Sequence, residues 1–167
     1  MIINPKIAIK EEWIRFPSEP MMESQLQPNG IDIRIREAHL LSGDVIPFQL
    51  YHNATIHVNR RQLELEGGNS YFTFEKGNSY NIECFEMAHI PKNVVALIYG
   101  RSSLNRNGLL ARASLYDSGY NNYVGFTLYA FNRGHIEYAS RVAQIVFMEA
   151  GSSSLYNGQY NSDDFTR

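Results

Sequence analysis

IPKNVVALIYGRSSLNRNGLL, residues 90–110, holds a strand, a stop and one helical turn. Val94, Val95, Ile98 and Tyr99 are the β-branched and aromatic types that suit a pleated surface. Gly100 then permits an unusual backbone turn. Ser102 or Ser103 can cap a helical turn, which Asn107 and Gly108 can end, since both tolerate left-handed φ/ψ. The free N–H groups at the start of such a turn, with two hydroxyls and Arg101 beside them, suit a phosphate. As local chemistry, a capped turn with no ligand reads equally well.

The same texture extends in both directions. Upstream lie IDIRI (31–35), VIPFQLYHNATIHV (45–58), SYFTFE (70–75) and SYNIECFEM (79–87); downstream lie YVGFTLYAFN (123–132) and RVAQIVFMEA (141–150). Several are separated by turn signals such as LSGD, EGGN and EKGN. Short strands without long helices between them predict an all-β sandwich, barrel or jelly roll. One short amphipathic helix is expected near the start, where PKIAIKEEWIRF sets Ile7, Ile9, Trp13 and Ile14 among charges. No repeat or linker divides the chain, so residues 1–150 read as one domain. Residues 151–167 lose the apolar period and read as a flexible tail able to close over a ligand.

Composition narrows the function. The 167 residues, 44% hydrophobic and 19% charged, suit a soluble globular domain. No apolar run approaches the ~20 residues that cross a bilayer, and the start carries no cleavable signal. One cysteine, Cys84, forms no internal disulfide and reads as a buried strand residue, which fits a reducing cytoplasm. The net charge of −2 argues against bulk nucleic-acid binding. Yet Pro91–Met148 carries six basic residues against two acids, a local +4 that leaves −6 elsewhere. Such a surplus suits a small anionic ligand, and scattered solvated arginines would read the same.

Two further segments carry polar groups of interest. In QPNGIDIRI, Asp32 and Arg34 fall on one face of a strand and Ile31, Ile33 and Ile35 on the other. In SLYDSGYNNYVGFTLY, the turn formers after Asp117 suggest a β-hairpin, whose backbone N–H and C=O groups could meet a flat base edge. Asp117 could hold a water there and Tyr120 could pack on a sugar. An ordinary turn acid is the alternative.

Taken in order, QPNGIDIRI, IPKNVVALIYGRSSLNRNGLL, YDSGYNNYVGFTLYAFN, SRVAQIVF and YNGQY resemble the motifs of the trimeric dUTP pyrophosphatases and dCTP deaminases, from about Gln27 to the end. The resemblance implies a distorted jelly-roll (β-clip) fold and a homotrimer with sites shared between subunits. It implies phosphate binding by Arg101, Ser102 and Ser103, with Arg106 nearby and Gln144 also facing the phosphates; Arg141 is structural. It implies that the hairpin reads a pyrimidine, that Tyr120 excludes a ribose 2′-OH, and that Asp117 is the base. Tyr160, Phe165 and Arg167 become candidates for a closing lid.

The two branches of that family differ in chemistry. Deaminases carry Thr-Leu-Glu on the second hairpin strand, and here FTLYAF has Tyr129. A phenol near pKa ~10 is a poor proton shuttle at neutral pH. Hydrolysis needs only one carboxylate to orient a water, with Mg²⁺ held chiefly by the phosphates and Asp32 at most near its hydration shell. The expected activity is hydrolysis of dUTP, or of another pyrimidine deoxynucleoside triphosphate, to the monophosphate and pyrophosphate. The alternatives are a dCTP deaminase with another shuttle and a non-catalytic nucleotide-binding or structural relative. Two extra residues around NNY and the ending DDFTR depart from the family pattern.

Overall fold

The structure is a computed structural model describing residues 1–18, 20–42, 47–52, 55–68, 70–158 and 160–161, with backbone alone at 55 and 56. Helix α1 spans Pro5–Lys10. The Asn4 side chain accepts from the Lys6 N–H at 3.0 Å, and proline occupies the first turn, where a missing N–H costs nothing. The expected helix is shorter than the apolar pattern. Glu12 takes φ 55°, so the chain turns there, and Ile14 enters a strand instead.

The strands, in chain order, are β1 Ile14–Arg15, β2 Leu26–Gln27, β3 Gly30–Ser42, β4 Gln49–Leu50, β5 Thr55–Ile56, β6 Asn59–Gln62, β7 Tyr71–Phe74, β8 Ser79–His89, β9 Val94–Gly100, β10 Leu109–Arg112, β11 Asn121–Ala130, β12 Gly134–Glu137 and β13 Arg141–Glu149. Helix α2, Ser102–Arg106, links β9 to β10. The main sheet runs β10-β11-β8-β3-β13-β9, with β1 on β8 and β2 and β6 on β3. Every pairing is antiparallel. The sheet's two ends approach each other, so it curls into the near-barrel of a distorted jelly roll. At that closure a Cβ on Gly100 would stand 3.0 Å from the Ala111 Cβ, and glycine is what lets the two backbones come so near. Residues 45–58 are expected as one strand; among those described, Gln49–Leu50 and Thr55–Ile56 form the two-residue pair β4–β5, with Phe48, Leu50 and Tyr51 exposed.

Irregularities in the sheet re-aim side chains near the centre. Arg36 is extra on β3 between the pairs Ile35–Cys84 and Glu37–Glu83. Val142 is extra on β13 between Arg141–Arg34 and Ala143–Ile33. β8 places three residues opposite one of β11 between Met87–Tyr123 and Glu83–Gly125. The interior packs Ile31, Ile33, Ile35, Tyr80, Ile82, Leu128, Ile145 and Phe147 around Cys84, which has no exposed surface; its burial pushes the thiol pKa up. The sequence pattern gave β3 one polar face, but residues 30–35 are buried throughout, Asp32 and Arg34 included.

Candidate active site

Two groups of candidate residues stand apart in the chain. The first gathers at the end of β9. The Arg101 N–H bonds the Val142 carbonyl at 3.1 Å, fixing the turn to β13. Arg101, rather than either serine, is the cap of α2, and no side chain caps that end. The hydroxyls of Ser102 and Ser103 are therefore not spent on capping, and both residues are exposed with Arg106. Their amides occupy the first turn, where no helical carbonyl precedes them. At the other end the Asn107 side chain donates to the Ser103 carbonyl at 2.8 Å, and only Gly108, at φ 74°, is left-handed.

Behind this turn Asp32 collects cations. One carboxylate oxygen lies 3.3 Å from Arg101 Nε and 3.2 Å from Arg141 Nη1; the other accepts from Gln144 Nε2 at 3.3 Å. Arg101 also donates to the Arg141 carbonyl at 3.1 Å, and Arg141 donates to the Ser24 carbonyl. Three of the residues expected to face phosphate or its strand thus share one buried acid. An adjoining cleft of about 410 Å³ is lined by Arg101, Ser103, Arg141, His135 and Glu137 among others.

A second buried layer supports the first. Glu86, fully buried, accepts from Arg34 Nε at 2.9 Å, from the Arg34 N–H at 2.8 Å and from Gln25 Nε2 at 2.8 Å. Gln25 Nε2 also donates to the Asp32 carbonyl at 2.8 Å, while its oxygen accepts from the Met22 N–H at 2.9 Å. A buried ion pair keeps its charges only when its remaining polar atoms are bonded, and here they are. This layer was not foreseen from sequence. The available signal was the acid at 86 in the register of buried Ile82 and Cys84.

The second group lies on the connection from β10 to β11. The expected hairpin is not continuous: β10 and β11 pair only from Leu109–Ala130 to Arg112–Thr127. Tyr116 instead bridges Ala96 on β9, and Ser118 Oγ donates to the Val94 carbonyl at 2.5 Å. Asp117 is exposed between them, and among the described residues no hydrogen bond or ion pair holds its carboxylate. Tyr120 stands edge-on to Tyr116 at 4.8 Å, near Tyr156 at 6.1 Å, and donates to the Tyr123 carbonyl at 2.9 Å. Burial first, and Tyr156 second, push its phenol up to about 12.

The tail lies against this loop as far as Asn161. Its carboxamide accepts from the Asn121 N–H at 2.9 Å and donates to the Gly119 carbonyl at 3.0 Å. Asn122 donates to the Tyr160 carbonyl at 2.8 Å. Two of the hairpin residues that depart from the family pattern therefore hold the tail. Phe165 and Arg167 lie outside the described residues.

One chain does not unite the two groups. Asp117 sits beside Val95, six residues from Arg101 along β9, or roughly 20 Å at the ~3.3 Å rise of a strand. Tyr129 lies on β11 opposite Leu110, its ring 4.6 Å from Phe131. No group of three or more His, Cys, Asp or Glu able to hold a metal occurs among the described residues. Asp32 faces two guanidiniums, surroundings that repel a cation, so its expected place near Mg²⁺ does not match its contacts.

Comparisons with known proteins bear on the family and the fold. The family described as dCTP deaminase-like matches residues 6–150. A probable deoxyuridine 5′-triphosphate nucleotidohydrolase of Halobacterium salinarum is 26% identical over 149 residues, covering 87% of this chain and 88% of the relative. The deoxyuridine 5′-triphosphate nucleotidohydrolase of Methanocaldococcus jannaschii is 28% identical, with 83% and 88% covered. A dCTP deaminase of Thermococcus gammatolerans is 27% identical, with 85% and 82% covered. Among solved structures, 2′-deoxycytidine 5′-triphosphate deaminase from Agrobacterium tumefaciens superposes with a TM-score of 0.66 at 17% identity. That match covers 87% of this chain, which spans about half (47%) of the Agrobacterium chain. A dUTPase from phage phi11 of S. aureus gives 0.56 at 15% identity, with 87% and 95% covered.

Proposed function

The chain belongs to the dCTP deaminase-like family, and from that membership we propose that it is a deoxyuridine triphosphate nucleotidohydrolase, splitting dUTP into dUMP and pyrophosphate. Position 129 carries the choice between the family's two chemistries. Deamination needs a group that passes protons to water and to departing ammonia near neutral pH, and a phenol, a far weaker acid than a carboxyl, does this poorly. Hydrolysis asks only for a carboxylate beside water and for donors along the phosphates. Archaeal relatives named as nucleotidohydrolases support the same reading.

Asp117 takes a proton from water as that water's oxygen bonds to the α-phosphorus. The bond from that phosphorus to its bridging oxygen breaks, and pyrophosphate leaves. Arg101, Arg106 and the Ser102 and Ser103 hydroxyls and amides bind the phosphate chain, while Gln144 divides its amide between phosphate and Asp32. Among the described residues no cluster of His, Cys, Asp or Glu offers Mg²⁺ a seat, and we read the ion as part of the substrate, chelated by the triphosphate. The separation of Asp117 from Arg101 within one chain favours a site between copies of a homotrimer. In that assembly the acid of one copy faces the serine turn of another.

A product assay across dUTP, dCTP and dTTP tests this. The expected result is pyrophosphate from dUTP and no ammonia from dCTP; ammonia from dCTP would overturn the reading of Tyr129.

A further inference from the structure

Strand β11 has one edge that β10 covers only in part, and no other strand among the described residues covers the rest. The Phe131 N–H bonds the Gly108 carbonyl at 2.8 Å, on the side of β10. Ala130 faces the other way, donating to the Asn78 carbonyl at 3.1 Å and accepting from the Gly77 N–H at 2.7 Å. Backbone groups alternate along an antiparallel strand, so Thr127, Gly125 and Tyr123 face the β10 side with Phe131. β10 reaches only Thr127. Beyond it the edge opens onto the loop that carries Asp117.

Two phenols fill that opening. Tyr120 serves the Tyr123 carbonyl, as described above. The Tyr116 hydroxyl donates to the Gly125 carbonyl and accepts from the Gly125 N–H at 2.9 Å. Tyr116 reaches across from the arm paired with β9 and is buried in doing so. An adjacent N–H and C=O on one extended residue match an adjacent acceptor and donor on a flat ring, as on the edge of uracil or cytosine. A hydroxyl satisfies the same pair because it is both donor and acceptor.

We propose that Tyr116 sets base specificity by occupying the Gly125 backbone pair, so that a pyrimidine binds by exchanging its own acceptor–donor edge for the phenol. The inference rests on the nucleotidohydrolase reading and deepens it. A base that offers both groups replaces both bonds. A ring lacking one of them leaves a buried backbone group unpaired and loses to the phenol. Tyr116 is thus a competitor tied to the protein itself.

Tyr116→Phe keeps the ring and frees the Gly125 pair. The KM for dUTP and the Kd for dUMP should both fall, by about 5–10-fold for two neutral hydrogen bonds no longer displaced. Saturating wild-type protein with dUMP should also give a near-ultraviolet tyrosine difference spectrum, diminished in the variant. Should the variant fold poorly, wild-type protein still decides, because N3-methyl-dUMP should bind at least about tenfold more weakly than dUMP. A folded variant with unchanged or weaker affinity, or equal binding of the methylated and parent nucleotides, would overturn the role of Tyr116. If wild-type protein hydrolyses dUTP under those results, the functional reading survives alone. If it binds dUMP with the expected spectrum but releases no pyrophosphate, the base site survives and the hydrolase reading fails.

Discussion

Asp32 holds Arg101 at 3.3 Å, in a contact where the acid is buried and the guanidinium is one-third exposed. The acid that fixes this arginine sits on β3, behind a turn whose outer surface stays open. Arg101 is thereby aimed from within the sheet. Arg141 and Gln144, on β13, approach the same carboxylate from the strand next door.

Asp32→Asn keeps the side-chain shape and removes the charge that gathers two guanidiniums. Charge-assisted bonds contribute about 1.5–3 kcal/mol each, so the KM for dUTP should rise on the order of tenfold or more. The kcat should change less, because Asp117 is elsewhere. Steady-state kinetics separates the two constants, and a fall confined to kcat would contradict a positioning role.

Asp117→Asn removes the proposed base from an exposed position. Pyrophosphate release from dUTP should drop by about 10²–10⁴-fold, with the melting temperature unchanged. Undiminished turnover would take Asp117 out of the mechanism.

Glu86→Ala strips the buried partner from Arg34 and Gln25. Leaving a buried charge unmatched costs about 3–5 kcal/mol, a loss of roughly 10 °C in melting temperature for a chain of this size. Scanning calorimetry reads it directly, and a shift of only a degree or two would mean that water replaces the carboxylate.

Gly119→Ala places a Cβ 2.9 Å from both the Leu155 Cβ and the Tyr156 N, at φ 93°. The residue should cost about 1–3 kcal/mol through its backbone conformation and should lift the tail from the loop. Limited proteolysis after Gly151 should accelerate in the variant. Identical cleavage in both proteins would show that the tail does not depend on this contact.

Alkaline pH tests the aromatic stack. Tyr120 is raised from its ordinary 10.0 to about 12, and Tyr116 is raised too, chiefly by burial. Such phenols favour the folded state in their neutral form. Their contribution is complete below pH 10 and is lost as the pH climbs through about 12. Melting temperature against pH should be flat up to that window with respect to these groups and then fall, less steeply in Tyr120→Phe. Equal slopes would mean that the phenol titrates alike in the folded and unfolded chains.

The strands were legible because alternation and β-branching are local. IDIRI and SYNIECFEM lie wholly in strands of the structure, and SYFTFE and NVVALIYG do so apart from Ser70, Glu75 and Asn93 at their ends. The single turn after Gly100 was legible for the same reason. What escaped were contacts across long separations. Gln25 and Glu86 are 61 positions apart, and no periodicity joins them. The serines read as caps because their type suits one, yet the cap fell to Arg101, whose backbone is tied to β13. Tyr116 carries no signal of its own in the sequence; its hydroxyl gains meaning only where β10 stops short of Gly125.

Cys84 is the chain's sole sulfhydryl and lies sealed on β8, between β11 and β3. A thiol so enclosed and so hard to ionise stays silent toward alkylating reagents while the barrel is shut. Its rate of labelling therefore clocks the opening of the sheet, and the molecule carries its own unfolding reporter.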